Sequence, residues 1–474
     1  MSISFPGGSS IDATLSRHGA SRLVSMKQQL AQLQAQISTG KIADNYADLG
    51  AGRARSLDVR QKLSTIDAYS ASITDTTIRT KALELTLTRM EKIGTDMAAS
   101  LTPSAYELDS NGQTLQQKIA KGNLQEVIDL LNQDSAGRAL FAGRSADKSA
   151  VTVDADAMIS GVRSAIALRK ANDAGAPANL GRLTLTAAGS TATIAPPAAA
   201  VPPAVTYGLG MPATQTFDFT TTPSDGQTFQ VNLTMPDGAS KTLTLVARTT
   251  VPSPGAPADE LSFAIGATPA ATATSFVGAA TSALTALTSS SEFSAASSVA
   301  GAKDYVANTA NWYGGDTSAT PRASASSRID DDQTVGIGME ASEPAFQNLL
   351  AQLGVLAAES FSTATATDKD RYAALTSRVS DQIKRPVTPT SPAPGKAYTI
   401  QSAHVDIGLA AVTLKNAQQR QTDTKAQLEN VLSGVEDANP EAVAAQLMTL
   451  QTQLQASYQM TSTMAKMSLV NYLG

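Results

Sequence analysis

No cysteine occurs in the 474 residues, which excludes disulfides, thiolate metal sites and cysteine nucleophiles. Histidine is nearly absent too: His18 and His404 leave little for a histidine-ligated metal or the base of a catalytic triad. Both fall in stretches that read as long helices, with no obvious acidic or nucleophilic cluster, and are read as solvent-facing. Aromatic residues make up 4%, and the polar remainder is rich in Ala, Ser, Thr and Gln. That composition suits long helices and light β-structure better than one large compact core. A net charge of −5 and a pI near 5.3 supply no general basic surface, so nucleic acid is not expected as a partner. No apolar run approaches the ~20 residues of a membrane span. Residues 1–20 lack the basic start and apolar core of a cleavable secretory signal. The protein is therefore expected to be cytoplasmic, or exported by a route that leaves no such signal. Its length accommodates about two or three domains.

What is present in quantity is uncharged helical periodicity at both ends. Asn439 can cap a helix and Pro440 fits its first turn. Val443, Leu447, Leu450 and Leu454 then recur at steps of four, three and four, and Lys466 is the one charged side chain between Ala442 and Gly474. Near the N-terminus Leu23, Met26, Leu30, Leu33 and Ile37 step by three, four, three and four, with no charge between Lys27 and Lys41. One reading is of ordinary terminal helices packed on their own domain. The simpler one is that the two seams pair with each other or with neighbouring subunits, which makes these nine residues the candidate assembly seam. Gly40, within Ser38-Thr39-Gly40-Lys41, is placed to close the first helix in the left-handed conformation.

A second helical region runs from about Arg53 to Ser100. Val59, Leu63, Ile66, Ser70, Ile73, Thr77 and Thr80 trace one seam, and Leu83, Leu87, Met90, Gly94, Met97 and Leu101 a second, offset one. At ~1.5 Å per residue this rod is roughly 70 Å long, and Pro103 is expected to stop it. Leu115 to Asn132 reads as a further helix, and Gly137 to Gly143 as a short apolar strand between glycines. Beyond Val151 the composition changes. A short helix at about Ala157–Lys170 gives way to irregular chain marked by Pro196, Pro197, Pro202 and Pro203. Strands are expected over Thr216–Thr220, Thr228–Thr234 and Lys241–Arg248, with turns at Pro223–Gly226 and Pro236–Gly238. From Pro252 to Arg322 the sequence is of low complexity, with one helix near Ala273–Leu287; Pro252–Pro269 reads as irregular and removable. Arg328-Ile329 and Thr334–Ile337 flank the acidic turn Asp330-Asp331-Asp332. Ser342 is expected to cap a helix to about Phe361, another spans about Lys369–Arg385, and Pro386, Pro389, Pro392 and Pro394 form an extended linker. Long helix returns from about Ile400 to Val435.

Candidate chemistry is sparse. Gly336-Ile337-Gly338-Met339-Glu340-Ala341 fits G-x-G-x-x-A, but a dinucleotide site also needs a βαβ unit and an acidic ribose contact, and neither is visible. An EF-hand loop started at Asp330 would place its glycine on Val335 and its glutamate on Ala341, so the acidic run reads as a solvated turn. Asn232-Leu233-Thr234 is a glycosylation sequon by pattern, inside an expected strand. No active site emerges, and neither a cofactor nor a metal is expected.

Several stretches resemble the flagellin and hook-associated protein family of the bacterial flagellum. Ser38-Thr39-Gly40-Lys41 after an uncharged helix resembles the family's N-terminal signature, in a form closest to the hook-filament junction members (the third hook-associated protein). Gly137-Arg138-Ala139-Leu140-Phe141-Ala142-Gly143 is similar to their G-R-Y-I-F-A-G segment. Trp312-Tyr313-Gly314-Gly315-Asp316, with Arg328-Ile329 and Thr334–Gly338, resembles their Tyr-Gly-Asp stretch and the strand pair beyond it. Ser468-Leu469-Val470-Asn471-Tyr472-Leu473 is similar to the family's ending. The resemblance covers about residues 10–150 and 305–474. It implies a structural protein rather than an enzyme, exported unfolded through the flagellar type III apparatus without signal cleavage and located outside the cell in the flagellum. It also implies an export chaperone, self-association in a ring, a hook-associated protein on the hook side and flagellin on the filament side. Terminal helices in this family are largely disordered in the free subunit and form coiled coils in the assembled tube. Burial of ~1.5–3 kcal/mol per large apolar side chain offsets the ordering cost only once neighbours are present.

The expected fold is α+β, with long N- and C-terminal helices forming a coiled-coil rod and a β-rich outer domain inserted between them. The expected division is N-terminal helices over 1–150, the β-rich insert over 151–322, a return segment with strands, helices and a Pro-rich linker over 323–398, and C-terminal helices over 399–474. Alternatives to the junction adaptor are a filament flagellin and, further off, a secreted coiled-coil adhesin.

Overall fold

Leu, Met and Ile at three- and four-residue steps among Gln, Ala and Ser build α1 (Ser9–Thr39), and Gly40 ends it at φ +69, where glycine carries no Cβ penalty. The structure is a computed structural model that describes residues 9–101, 106–175, 178–196, 206–251, 257, 259–363, 365–386 and 395–473; for 9–18, 366 and 464–473 it describes the backbone alone. Pro103, Pro197, Pro202, Pro203, Pro389, Pro392 and Pro394 lie outside those residues, as do the side chains of His18 and of Ser468–Leu473. After α1 come α2 (Gly52–Ser100), α3 (Leu115–Leu131), the hairpin β1 (Asp134–Ser135) and β2 (Arg138–Ala139), and α4 (Ala155–Asp173). The strands β3 (Thr184–Ala188), β4 (Thr191–Ala195), β5 (Gln215–Asp218), β6 (Thr228–Thr234), β7 (Ser240–Arg248) and β8 (Ser262–Ala264) follow. Then come α5 (Pro269–Thr288), α6 (Ser291–Ala307), the one-turn α7 (Pro321–Ser324), β9 (Ser326–Arg328) and β10 (Thr334–Gly336). The chain ends with α8 (Pro344–Ala358), α9 (Ala366–Lys384), α10 (Ile400–Glu436) and α11 (Pro440–Leu473). In chain order, helices flank a central region that carries most of the strands: an α+β architecture.

Contacts divide the chain into two units. The first holds Met1–Ile73, Ile329–Asp331 and Lys415–Gly474, and the second Thr74–Arg328 and Asp332–Leu414. In the first, Val59, Ile66 and Ile73 of α2 are buried at heptad spacing, with Ala417 and Gln421 of α10. The acidic turn is held within the same unit: Gln421 donates to the Ile329 carbonyl at 3.0 Å, Tyr69 donates to Asp331 at 2.8 Å, and Arg420 lies 3.7 Å from Asp330.

In the second unit α8 is buried along nearly its whole length, which its apolar composition on every side requires. It packs against α3, α4, α6 and α9. Small residues let these helices approach closely. A Cβ on Gly301 of α6 would lie 2.7 Å from the Ile166 Cα of α4, and one on Gly161 of α4 would lie 2.2 Å from the Tyr305 ring of α6. The strands form sheets in the order β3-β4-β5 and β6-β7-β8, and Gln215 links the two through its side-chain amide, donating to the Asn232 carbonyl at 2.7 Å and accepting from its N–H at 3.1 Å. The sheets and α5 enclose Phe217, Phe219, Phe229, Phe263 and Phe276, whose ring centroids lie 4.7 to 6.3 Å apart.

Several expectations are corrected here. The stretch read as low complexity from Pro252 to Arg322 holds β8, α5, α6 and α7, and α6 is buried by Phe293, Ala296, Val299 and Ala302. Within Pro252–Pro269 the described residues are not all irregular, because β8 pairs with β7 and places Phe263 in the aromatic cluster at 1% exposure. The residue that caps α8 is Glu343, not Ser342: Pro344 occupies the first helical position, where its missing N–H is tolerated, and Ser342 instead approaches Glu340. The sparse aromatics do make a core, because half of the ten phenylalanines are gathered in one place.

The two kinds of helical glycine are expected to respond with opposite signs. Gly301→Val meets backbone atoms and should lower stability by about 1–3 kcal/mol in urea denaturation. Gly278→Ala in α5, with nothing within 4 Å of its added Cβ, should raise it by up to about 1 kcal/mol. Matching small effects at both sites would contradict the close approach of α4 and α6.

Candidate assembly seams and the junction beneath them

α1 and α11 pack on each other along the seams read from the sequence. Val443, Leu450 and Leu454 are buried at 7% exposure each, and Leu447 is half-buried. On α1, Leu23, Met26, Leu30 and Leu33 are half-buried, while Ile37 is 48% exposed and lies off the covered face. Gln29, Gln32 and Gln36 of α1 and Gln446 and Gln453 of α11 line a groove of about 570 Å³ along the pair. Val24, Met448, Tyr458 and Met460 remain exposed on the same two helices.

At the base of this pair the chain gathers its charge. Asn439 caps α11, accepting from the Glu441 and Ala442 N–H groups at 3.0 and 3.2 Å. Just before it, Lys41 and Asp437 face each other in an antiparallel bridge, flanked by Ile42 N–H to Glu436 carbonyl at 2.7 Å and Ala438 N–H to Gly40 carbonyl at 2.9 Å. The Glu436 carboxylate, almost fully buried, accepts from Arg60 at 2.9 and 2.7 Å in a two-pronged bond and from the Ser56 hydroxyl at 2.5 Å. Lys41 pairs with Asp437 at 2.5 Å and stands 3.8 Å from Glu436. The Arg60 hydrogen bonds, with help from Ser56 and Lys41, hold the Glu436 carboxyl down to about 2. Hydrogen bonds from Lys41 and then Ser433 push Asp437 down as well. Sequence reading found the glycine-lysine turn but not Arg60, Ser56 or Glu436; a glutamate closing one uncharged-seamed helix just before the next was the available signal.

In the second unit, three stretches singled out by sequence come together. Gly143 N–H donates to the Met339 carbonyl at 3.1 Å, Ala341 N–H to the Phe141 carbonyl at 2.8 Å, and Asp316 N–H to the Ala142 carbonyl at 3.1 Å. Trp312 is fully buried, its indole N–H donating to the Val306 carbonyl at 2.9 Å. The glycines of Gly336-Ile337-Gly338 make room for protein rather than for a phosphate. A Cβ on Gly336 would meet the Arg322 carbonyl at 2.5 Å, and one on Gly338 the Pro321 carbonyl at 2.3 Å.

The remaining candidates are placed plainly. Asn232 lies in β6 with its side-chain carbonyl accepting from Thr242 at 3.0 Å. His404 Nδ1 is 4.0 Å from Glu91, an acidic neighbour the sequence did not announce. Among the described residues no group of three or more His, Cys, Asp or Glu is arranged to hold a metal ion.

The base should respond to acid in a defined window. Glu436 has its folded value depressed from 4.5 to about 2, so its stabilisation is fully present above 4.5 and is lost as pH falls toward 2. Glu436→Gln should cost about 1.5–3 kcal/mol at neutral pH, read from hydrogen exchange of the Ile42 and Ala438 amides. The gap from wild type should close as pH is lowered through that window; protection equal in both proteins at pH 7 would remove Glu436 from its role.

The chain matches the family model for the bacterial flagellin N-terminal helical region over residues 14–146 and that for the bacterial flagellin C-terminal helical region over residues 395–473. No curated protein matches it. The first match takes in most of α1, all of α2 and α3, and the segment through Gly143; the second takes in α10 and α11. Flagellin-family proteins are structural, are exported, and self-assemble into the extracellular flagellum. The two matched regions, which bring together the seams and the charged base that joins them, support the bacterial flagellin family and a structural component of the flagellum.

Proposed function

We propose that this chain is the adaptor between flagellar hook and filament, self-associating in a ring through its terminal helices. The observation that supports a junction role is the meeting of two junction-like stretches. Gly137–Gly143 and Trp312–Asp316 are bonded to each other, with Phe141 and Tyr313 set 172 residues apart in sequence. Two short resemblances arising by chance have no reason to pack together. In this reading a hook-associated protein lies on one side of the ring and flagellin on the other. A flagellar chaperone accompanies the chain to the type III export apparatus, which passes it out of the cell without cleaving a signal. The α1 and α11 seams serve assembly, and the exposed Val24, Met448, Tyr458 and Met460 are apolar surface left for neighbouring subunits.

A second reading, the filament subunit itself, is favoured by the fact that both matched regions are those of flagellin. A deletion strain separates the two. Loss of a junction adaptor leaves a hook and sheds unassembled flagellin into the medium, whereas loss of the sole filament subunit leaves a bare hook and nothing shed.

The seam carries its own prediction. Replacing Leu450 and Leu454 by Asp places two unpaired charges on a buried apolar face, at a cost of several kcal/mol. Incorporation into flagella should be abolished while the second unit still melts cooperatively. Normal motility and filament attachment in that variant would sink the assembly role of α11.

A further inference from the structure

Glu340 sits where the three convergent stretches meet, at 2% exposure, and its two carboxyl oxygens are treated unequally. Oε2 accepts from the Ser318 N–H at 3.1 Å and lies 3.4 Å from the Ser342 hydroxyl. Oε1 is buried and has no hydrogen-bond partner. Both donors are neutral. The nearby guanidinium of Arg322 is committed to Glu343 at 2.9 Å and Asp406 at 3.0 Å, and Glu343 itself accepts the Glu340 N–H at 3.1 Å.

Gly143 locates the orphan oxygen. A Cβ there would stand 2.6 Å from the Asp316 carbonyl and 3.4 Å from Glu340 Oε1, so both oxygens border one small space. The Asp316 carbonyl accepts from the Tyr313 hydroxyl, but no donor reaches Oε1. A buried oxygen without a donor suits a carboxylate badly and a carboxylic acid better, because its O–H needs an acceptor and a carbonyl has a second lone pair to offer. The other titratable groups around it are Glu343, Asp316, Tyr313, Lys396 and Arg322. Burial first, and then Glu343, push the Glu340 carboxyl up, while Ser318, Ser342 and Lys396 act the other way. Burial, reinforced by Glu340, also pushes Tyr313 up; its hydroxyl donates to the Asp316 carbonyl at 3.1 Å.

We infer that Glu340 is carried as the neutral acid in the folded protein, and that its proton fastens the 141–143 and 313–318 segments to the start of α8. The junction is thereby linked to pH. For an acid whose folded value is raised, stabilisation is fully present below the ordinary glutamate value of 4.5 and is lost as pH rises through the folded value. This stands apart from the hook-filament reading and survives its failure.

Glu340→Gln preserves the shape and supplies an N–H in place of the O–H. In urea denaturation of the full chain, wild type and E340Q should have nearly equal unfolding constants near pH 4.5. Between pH 4.5 and the folded value wild type should lose stability relative to E340Q, by up to ~10-fold in the unfolding constant per pH unit, and the difference should level off above the folded value. Carboxyl carbon-13 titration of Glu340 in intact wild type should give a midpoint above the ordinary glutamate range, and it tests the inference even where the variant folds poorly. A midpoint at or below that range, or an E340Q deficit that is the same at every pH, overturns it. So does a rise in melting temperature on adding calcium or sodium that E340Q lacks, because Oε1 would then be a cation ligand.

Discussion

The terminal segments depend on one buried carboxylate. Glu436 brings Arg60, Ser56 and Lys41 to the start of α11, and the Lys41–Asp437 pair joins residues 396 apart in sequence. Closing so long a loop is entropically expensive, though the cost grows only slowly with length. The seam above contributes apolar burial but little discrimination, since leucines and glutamines repeating every three or four residues also fit after a one-heptad slip. A charged cluster with directional bonds does not slip. The attested use of buried polar groups in helical pairs is to set register, and Glu436 is placed to do that for α1 and α11.

The second unit solves its packing in two ways. Beside α8, α4 and α6 meet at small residues, so backbone comes close to backbone at Gly301, the Tyr305 ring lies over Gly161, and close dispersion contacts form. Around the strands, where sheets and α5 leave a thicker space, phenylalanines fill it edge to face. A chain poor in aromatics therefore has a dense helical core and a separate aromatic one, each matched to the elements that enclose it.

How much of this could be read beforehand follows from where the signal is local. The Gly40 turn and the Asn439-Pro440 start of α11 are capping signals within one element, and they are where the sequence placed them; of the nine residues read as a seam, all but Ile37 are buried or half-buried. α6 was hidden because Ser, Ala and Gly lack hydrophobic contrast, although those are the residues that let it nest against α4. β8 was hidden because Ser262–Ala264 is too short to alternate visibly, and only its pairing with β7 makes it a strand. Arg60 and Glu436 look like solvated charges until the fold puts them 2.7 Å apart. Glu340 lay in a G-x-G-x-x-A pattern already set aside as a dinucleotide site, and the glycines beside it are spaces for neighbouring backbone.

The absence of native cysteine permits a direct test of intrachain pairing at the base. Lys41 and Asp437 are bridge partners, close enough in an antiparallel pair for a disulfide. In K41C/D437C protein recovered from assembled flagella, mild oxidation should yield a cross-link within one chain, seen as a monomer of altered mobility on a non-reducing gel. A ladder of cross-linked multimers would show that the ends pair between subunits, and no cross-link at all would show that they do not meet.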